Sequence, residues 1–366
     1  MNRYKLKELS LKKLEYGSGA AACKYDGSTR YVRITDIDNE GNLGDDIVSP
    51  NSVEEKYVLH DGDILFARTG ATVGKTYLYR INDGRCIYAG FLIRLVPNIN
   101  IIRPEYLYYY TKSPTYKRVV QNSMKVVAQP NINAKQYGEL ELNVPTLKVQ
   151  DEIILKLGLV NSIIILRKRE LQKLDQLIKA RFVEMFGTVH NNVFQFAECT
   201  LESISDEFFA GGDKPADCTT ERDEAHPYPV FANGYENEGL QGYSTKCRVT
   251  QPAVTISARG TIGYCFIREA GFTPVVRLVT IVPNNKVSPV FLKYAIDTMD
   301  IKSSGTGQAQ LTVPDFKRER IIVPPVELQS QFASFVSQID KSKAVIQKSL
   351  DEAQLLFDSL MQQYFG

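Results

Sequence analysis

Close cysteine pairs are missing from this chain. Its six cysteines (Cys23, Cys86, Cys199, Cys218, Cys247 and Cys265) lie at least 18 residues apart, whereas zinc ligands and redox pairs come as Cys-x-x-Cys. Metal binding is therefore not expected. Histidine is scarce as well: His60, His190 and His226 are the only three, and none stands four residues from another on one helix face, so histidine-based catalysis has few candidates. No apolar run reaches the ~18 residues that cross a bilayer, and the N-terminus lacks an apolar signal core. A cytoplasmic chain with no membrane partner is the expectation.

Charge of one sign is also lacking. The formal net charge is +2. Residues 1–144 carry 20 Lys+Arg against 16 Asp+Glu, 145–187 carry 8 against 5, 188–323 carry 13 against 16, and 324–366 carry 3 against 5. If the third stretch meets phosphate, its cations must gather on one face. With 366 residues and a hydrophobic share of 43%, the chain is long enough for two or three full cores.

What the chain does contain is a repeat. Residues Gln129–Gly187 superpose without a gap on Gln308–Gly366, a constant shift of 179 over 59 residues. Asn143-Val144-Pro145 meets Ile322-Val323-Pro324, Gln150 meets Gln329, and Phe186-Gly187 meets Phe365-Gly366. In the first copy Ile153, Leu157, Val160, Ile164, Leu171, Leu174 and Ile178 follow steps of four and three, with Arg167 at the skipped position. That spacing is a heptad seam. In the second copy the same positions hold Phe332, Val336, Ile339, Lys343, Leu350, Ala353 and Phe357, with Ile346 opposite Arg167. Proline before each segment and Phe-Gly after it supply starts and stops. About 38 helical residues at ~1.5 Å each approach 60 Å, longer than a small domain is wide, so each helix needs a partner beyond its own domain. The other helix is the expected one, in an antiparallel pair that would set the spacing of the two domains.

Ahead of each helix lie short β-branched and aromatic runs between Gly, Asn and Asp turns, the pattern of strands. They recur in the same order: "GDILFARTGATVGKTYLYR" (62–80) with "PAVTISARGTIGYCFIRE" (252–269), then "FLIRLVPN" (91–98) with "RLVTIVPN" (277–284), then "PEYLYYYTKS" (104–113) with "PVFLKYAIDT" (289–298). The expected fold is α+β: two tandem β-rich domains, 1–145 and 188–324, each followed by a long helix, 146–187 and 325–366.

Tempting chemistry fails on inspection. Gly70-Ala-Thr-Val-Gly74-Lys75-Thr76 has one residue too few between its glycines for a P-loop and continues as strand where a helix must begin. No acidic-x-Lys element follows Pro314-Asp315, and the Asn-Pro-Pro-Tyr signature of an amino-methyltransferase is absent. Gly17-Ser-Gly19 and Gly305-Thr-Gly307 point to no ligand. A non-enzyme is expected, with no catalytic residue and no metal. What remains are polar and basic side chains suited to base edges and phosphates. These are Arg30, Arg33, Arg68, Lys75, Lys112, Lys117, Arg118 and Lys125 in the first copy, and Asn233, Lys246, Arg248, Arg259, Lys302 and Gln308 in the second. Arg68 and Arg259 stand out because the alignment puts both just ahead of the Gly turn.

The layout resembles the specificity subunits of type I restriction-modification systems. The resemblance covers essentially the whole chain and rests on "GDILFARTGATVGKT", "YPVFANGYENEGLQGYS", "VPTLKVQDEI" and "VPPVELQSQF", in their order, duplication and spacing. It implies two target-recognition domains contacting the halves of a split site in double-stranded DNA. It also implies a helix pair spanning an unread spacer, a docking site for a methyltransferase subunit on each repeat, and further restriction subunits. S-adenosylmethionine, ATP and magnesium would then belong to those partners and none to this chain. The two domains differ in sequence and charge, so each is expected to read a different half-site. The competing class is a coiled-coil adaptor whose two β-rich domains bind proteins.

Overall fold

A computed structural model describes residues 2–124, 131–188, 190–260, 262–299, 301 and 311–366, with the backbone alone for 123 and 124. Of the candidates above, Lys125, Lys302 and Gln308 lie outside the described residues. The chain divides into two compact units, one made of 1–167 with 348–366 and the other of 168–347.

In the first unit the strand Ile64–Ala67 is apolar throughout and buried at every position, so it occupies the centre of its sheet. Leu92–Leu95 and Thr76–Leu78 flank it antiparallel, and Glu15–Tyr16 forms the far edge. Cys86–Tyr88 pairs in parallel with Arg30–Val32, and Asn2–Lys5 closes against Glu141–Val144. Helices α1 (Pro104–Lys112), α2 (Pro114–Met124) and α3 (Ala134–Gly138) follow the sheet. Proline opens α1 and α2, where its fixed φ and missing N–H cost nothing. Asn133 caps α3 through Gln136 N–H. Helix α4 (Leu147–Phe186) begins in this unit, and its residues from 168 onward belong to the second. Gly187, at φ 70, ends it by donating its N–H to Val183 O at 2.8 Å, a left-handed stop that favours glycine.

The second unit repeats the plan. Its four-stranded sheet is ordered Ser205–Ala210, Val279–Pro283, Ala253–Ile256, Cys265–Arg268. Tyr228–Phe231 pairs in parallel with Thr273–Pro274, and Ala197–Thr200 closes against Arg320–Val323. Helices α5 (Pro289–Asp297) and α6 (Val313–Arg318) follow, and then α7 (Val326–Phe365), whose residues from 348 onward belong to the first unit.

One glycine in each unit is dictated by the plan. Gly17 donates to Leu92 O at 3.2 Å and Gly211 to Leu278 O at 2.8 Å. A side chain on Gly17 would meet Ala89 O and Tyr88 O at 2.3 Å, and one on Gly211 would meet Pro274 at 2.6 Å. The Gly17-Ser-Gly19 segment therefore has a purpose that the sequence did not show: two backbones approach too closely there for any other residue.

The long helices bury their seams. Ile153, Leu157, Val160, Ile164, Ile178, Phe332, Val336 and Leu350 are buried, and Leu171, Leu174, Ile339, Ile346 and Phe357 half-buried. The apolar series extends beyond the residues read from the sequence. In the first unit Met361 and Phe365 share one core with Ile153, Leu157 and Tyr106, and the Phe365 ring lies 5.1 Å from that of Tyr106. In the second unit Phe182 and Phe186 share a core with Phe332 and Val336, and the rings of Phe186 and Phe291 are 4.9 Å apart. Each short helix, α1 or α5, thus receives the final turns of the long helix from the other repeat. Lys343, the charged seam residue, pairs with Asp175 at 2.6 Å in the second unit.

The start of each long helix is clamped by a buried glutamine. Gln150 Oε1 accepts from Arg103 N–H at 2.8 Å while its Nε2 donates to Ile101 O and Pro145 O, both at 2.9 Å. Gln329 repeats this with Ser288 N–H at 2.8 Å and with Lys286 O and Pro324 O at 2.9 Å. Both side chains are 0% exposed, so all three bonds form away from water. Replacing either glutamine by leucine orphans one donor and two acceptors. Gln150→Leu or Gln329→Leu should therefore lower stability by roughly 2–5 kcal/mol in denaturant unfolding. The exposed control Gln172→Leu should change it by less than about 0.5 kcal/mol; equal small effects would show that the clamp contributes nothing.

Candidate nucleic-acid interface

Four of the basic candidates in the first unit turn inward. Arg33 binds Asp36 at 2.7 Å and Asp46 at 2.8 Å, and those two carboxylates raise its pKa further. Arg30 Nη2 donates to Gly44 O, and Lys75 Nζ to Ile37 O at 3.2 Å. Lys112 Nζ donates to Thr76 O at 3.2 Å and lies over the Tyr108 ring, 4.7 Å from its centroid. Tyr108 OH in turn donates to Glu40 O at 3.0 Å. Together these groups tie down residues 33–46, a segment carrying Asp36, Asp38, Glu40, Asp45 and Asp46. The sequence reading set these cations toward a ligand, whereas the fold uses them to fix a loop that would otherwise repel itself. Lys117 and Arg118 lie exposed on α2.

Arg68 is different. Its guanidinium stacks on the Tyr16 ring at 4.7 Å and approaches Phe91 at 6.0 Å. Its Nε is shut off from water without a partner. Tyr16 and Phe91 are 41% and 56% exposed, so the arginine is held between two aromatic rings that open to solvent. Sequence reasoning found Arg68 but neither ring, since the three come from segments far apart in the sequence.

In the second unit Asn233 is consumed by the fold. Its Oδ1 accepts from Ala258 N–H at 2.8 Å, and its Nδ2 donates to Val276 O at 2.6 Å. Arg248 pairs with Glu207 at 2.9 Å and covers the Phe209 ring at 4.4 Å. Lys246 and Arg259 are exposed. The pairing of Arg68 with Arg259 needs correction. Ala67 N–H donates to Lys75 O and Ala67 O accepts from Gly74; Ser257 does the same with Tyr264 and Gly263. Ala67 therefore matches Ser257, Arg68 matches Ala258, and Arg259 matches Thr69. An offset of one residue next to a strand changes the face on which a side chain emerges.

The sequence also passed over Arg268. It is buried 3.7 Å from the Phe231 centroid and 4.9 Å from that of Phe266. It donates to Thr255 Oγ1 at 3.0 Å and to the Glu238 carboxylate at 2.9 Å. Burial pulls its pKa down to about 10. This contact holds the turn at Asn237 and Glu238, whose φ values are 46 and 52. Next to that turn, the exposed rings of Tyr235 and Tyr264 lie 4.8 Å apart. Among the described residues no group of three or more His, Cys, Asp or Glu could hold a metal ion, and no helix is long and apolar enough to cross a membrane.

These twin sheets with pinned loops match a known family. The model for the type I restriction modification DNA specificity domain covers residues 6–176 and 203–355. The chain belongs to that family. It is 29% identical over 207 residues to a Mycoplasma pneumoniae chain assigned as type I specificity subunit S.MpnORF507P, a match spanning 57% of this chain and 57% of that relative. A second chain from the same organism, assigned as S.MpnORF89P, is 29% identical over 253 residues, spanning 65% of this chain and 73% of the relative. The crystal structure of the type I restriction-modification S subunit from M. genitalium shares the fold, with a TM-score of 0.63 at 15% identity, covering 100% of this chain and 96% of that one. A chain from a structural study of complex assembly and conformational transition of the type I R-M system aligns at a TM-score of 0.57 and 17% identity, over 100% and 97% of the two chains.

The Lys112 contact has a pH signature. Burial lowers the pKa of this amine from 10.5 to about 8. Between those values the unfolded chain binds more protons than the folded one, so the penalty for burying the charge is complete below pH 8 and relieved as pH rises toward 10.5. The stability of the wild type relative to Lys112→Met should thus increase between pH 8 and 10. A difference that stays flat over that range would contradict the buried amine.

Proposed function

We propose that this chain is the non-catalytic specificity subunit of a type I restriction-modification enzyme, reading a bipartite, asymmetric DNA site for partner methyltransferase and restriction subunits. The observation that carries this reading is the duplication of one architecture with unlike surroundings: the order of the four-stranded sheet and the glutamine clamp occur twice, while residues 1–144 carry 20 Lys+Arg against 16 Asp+Glu and residues 188–323 carry 13 against 16. Two different readers in one chain suit a split site with two different halves.

In this reading α4 and α7 pair as an antiparallel coiled coil that sets the unread spacer. The shared cores of Ile153 with Phe365 and of Ile178 with Val336 support that direction, because the start of one helix meets the end of the other in both units. The outer face of α4 carries Leu155, Leu159 and Leu166, each more than half exposed, and offers an apolar seat for a methyltransferase subunit. S-adenosylmethionine, ATP and magnesium belong to the partners.

Selection of duplexes from a random pool, using this chain co-expressed with a methyltransferase subunit, should enrich a split sequence. Failure to enrich any would favour a protein-binding adaptor. The spacer gives a sharper check. Two heptads inserted after Leu171 and after Leu350 preserve the seam and lengthen each helix by ~21 Å, about six base pairs of B-DNA. The spacer in the enriched sequence should lengthen while both half-sites stay as they were. Altered half-sites would mean that the helices do more than separate the readers.

A further inference from the structure

The register of the two sheets reveals an arginine that neither motif nor alignment picks out. In the first unit Ala67 lies opposite Leu92, and the next residue outward, Arg68, donates its N–H to Phe91 O at 3.1 Å. In the second unit Ile256 lies opposite Val279. Counting outward by two residues from that pair matches Ala258 with Arg277, although Ala258 N–H donates to Asn233 Oδ1 at 2.8 Å instead of to Arg277 O. The neighbouring bonds agree: Leu92 donates to Ala89 O and Leu278 to Val275 O, while Gly90 donates to Ser18 O and Val276 to Gly212 O. Arg277 therefore takes the place of Phe91, next to the place of Arg68. Each domain thus carries one arginine at the same end of the same strand pair, just after one strand in the first and just before the facing strand in the second.

The backbone around Arg277 is specialised for this. Val276 and Arg277 have φ values of 51 and 59, a left-handed conformation that L side chains avoid and β-branched ones most of all. Gly90 and Phe91 are not left-handed. The conformation is held on several sides, with Val276 N–H donating to Gly212 O at 2.8 Å, Arg277 N–H to Gly211 O at 2.9 Å, and Asn233 Nδ2 to Val276 O at 2.6 Å. Strain that is over-determined by its surroundings marks functional positions. The side chain of Arg277 is exposed, and among the described residues neither it nor Arg68 forms a side-chain hydrogen bond or an ion pair.

We propose that Arg68 and Arg277 are counterpart contacts to the DNA phosphate backbone, one in each recognition domain. This rests on the DNA-reading function above. The two domains differ around this strand pair: Lys75 stands where the second has Tyr264, and Tyr16 where it has Ala210. An arginine kept at the same end of the strand pair, though at neighbouring positions and among unlike residues, suits a feature that both half-sites share. Two different half-sites share phosphodiester groups and not base edges.

The test uses the full chain with its methyltransferase subunit and the duplex that the wild type enriches. Arg68→Ala and Arg277→Ala should each weaken binding several-fold and each reduce the slope of log K against log salt by about 0.9. The enriched sequence should not change. Arg68→Lys and Arg277→Lys, which keep the charge, should retain most of that slope and show that the loss is not a folding defect. Wild-type affinity and slope in the alanine variants would overturn the proposal, and so would a changed half-site, which would make these arginines base readers. Lysine variants that behave like the alanine ones would also overturn it. If the wild type itself enriches no duplex, the DNA-reading function fails instead.

Discussion

The burial of Phe365 against Tyr106, and of Phe186 against Phe291, is the contact on which the rest of the molecule depends. Each globular sheet is held by two long helices at once, by the clamped start of its own and by the aromatic end of the other. Neither attachment is a flexible linker. The glutamine bonds are made inside the protein, and the aromatic ends lie in the same cores as the helix-facing seam. The proposed function would draw on this rigidity, because a hinge at the junction would make helix length irrelevant to the spacing of the two readers.

Rigidity also governs the loops. Arg30, Arg33, Lys75 and Lys112 fasten an acidic segment in one unit, and Arg268 fastens the turn at Asn237 and Glu238 in the other. Such contacts place the loop backbone before any ligand arrives, so less conformational entropy is lost on binding. Arg30, Arg33, Lys75, Lys112 and Arg268 organise loops, whereas Lys117, Arg118, Lys246 and Arg277 are among the cations that stay exposed.

The repeat and its seam were legible because a heptad pattern depends only on spacing along one helix, and the constant shift of 179 preserved it. The family resemblance followed from the same regularity. The far ends of the seam, at Phe182, Phe186, Met361 and Phe365, were not read because their partners come from the sheet domains. Register within the sheets was not legible either. Seven residues separate Ala67 from Gly74 and six separate Ser257 from Gly263, and no letter in the sequence says where the missing residue falls. Arg259 was therefore matched to Arg68, and Arg277 was overlooked. The inward use of Arg33, Lys112 and Asn233 depends on partners distant in sequence or on backbone carbonyls, which composition cannot reveal.

The central claim is that this chain alone supplies the DNA address for catalysts that lack one. Sequencing of modified bases in a host that carries a matching methyltransferase, with and without this chain, tests it most directly. The account predicts one new split motif, methylated in both unlike halves at a fixed spacing, only when the chain is present. Methylation that is unchanged by the chain, or confined to a continuous motif, would contradict it.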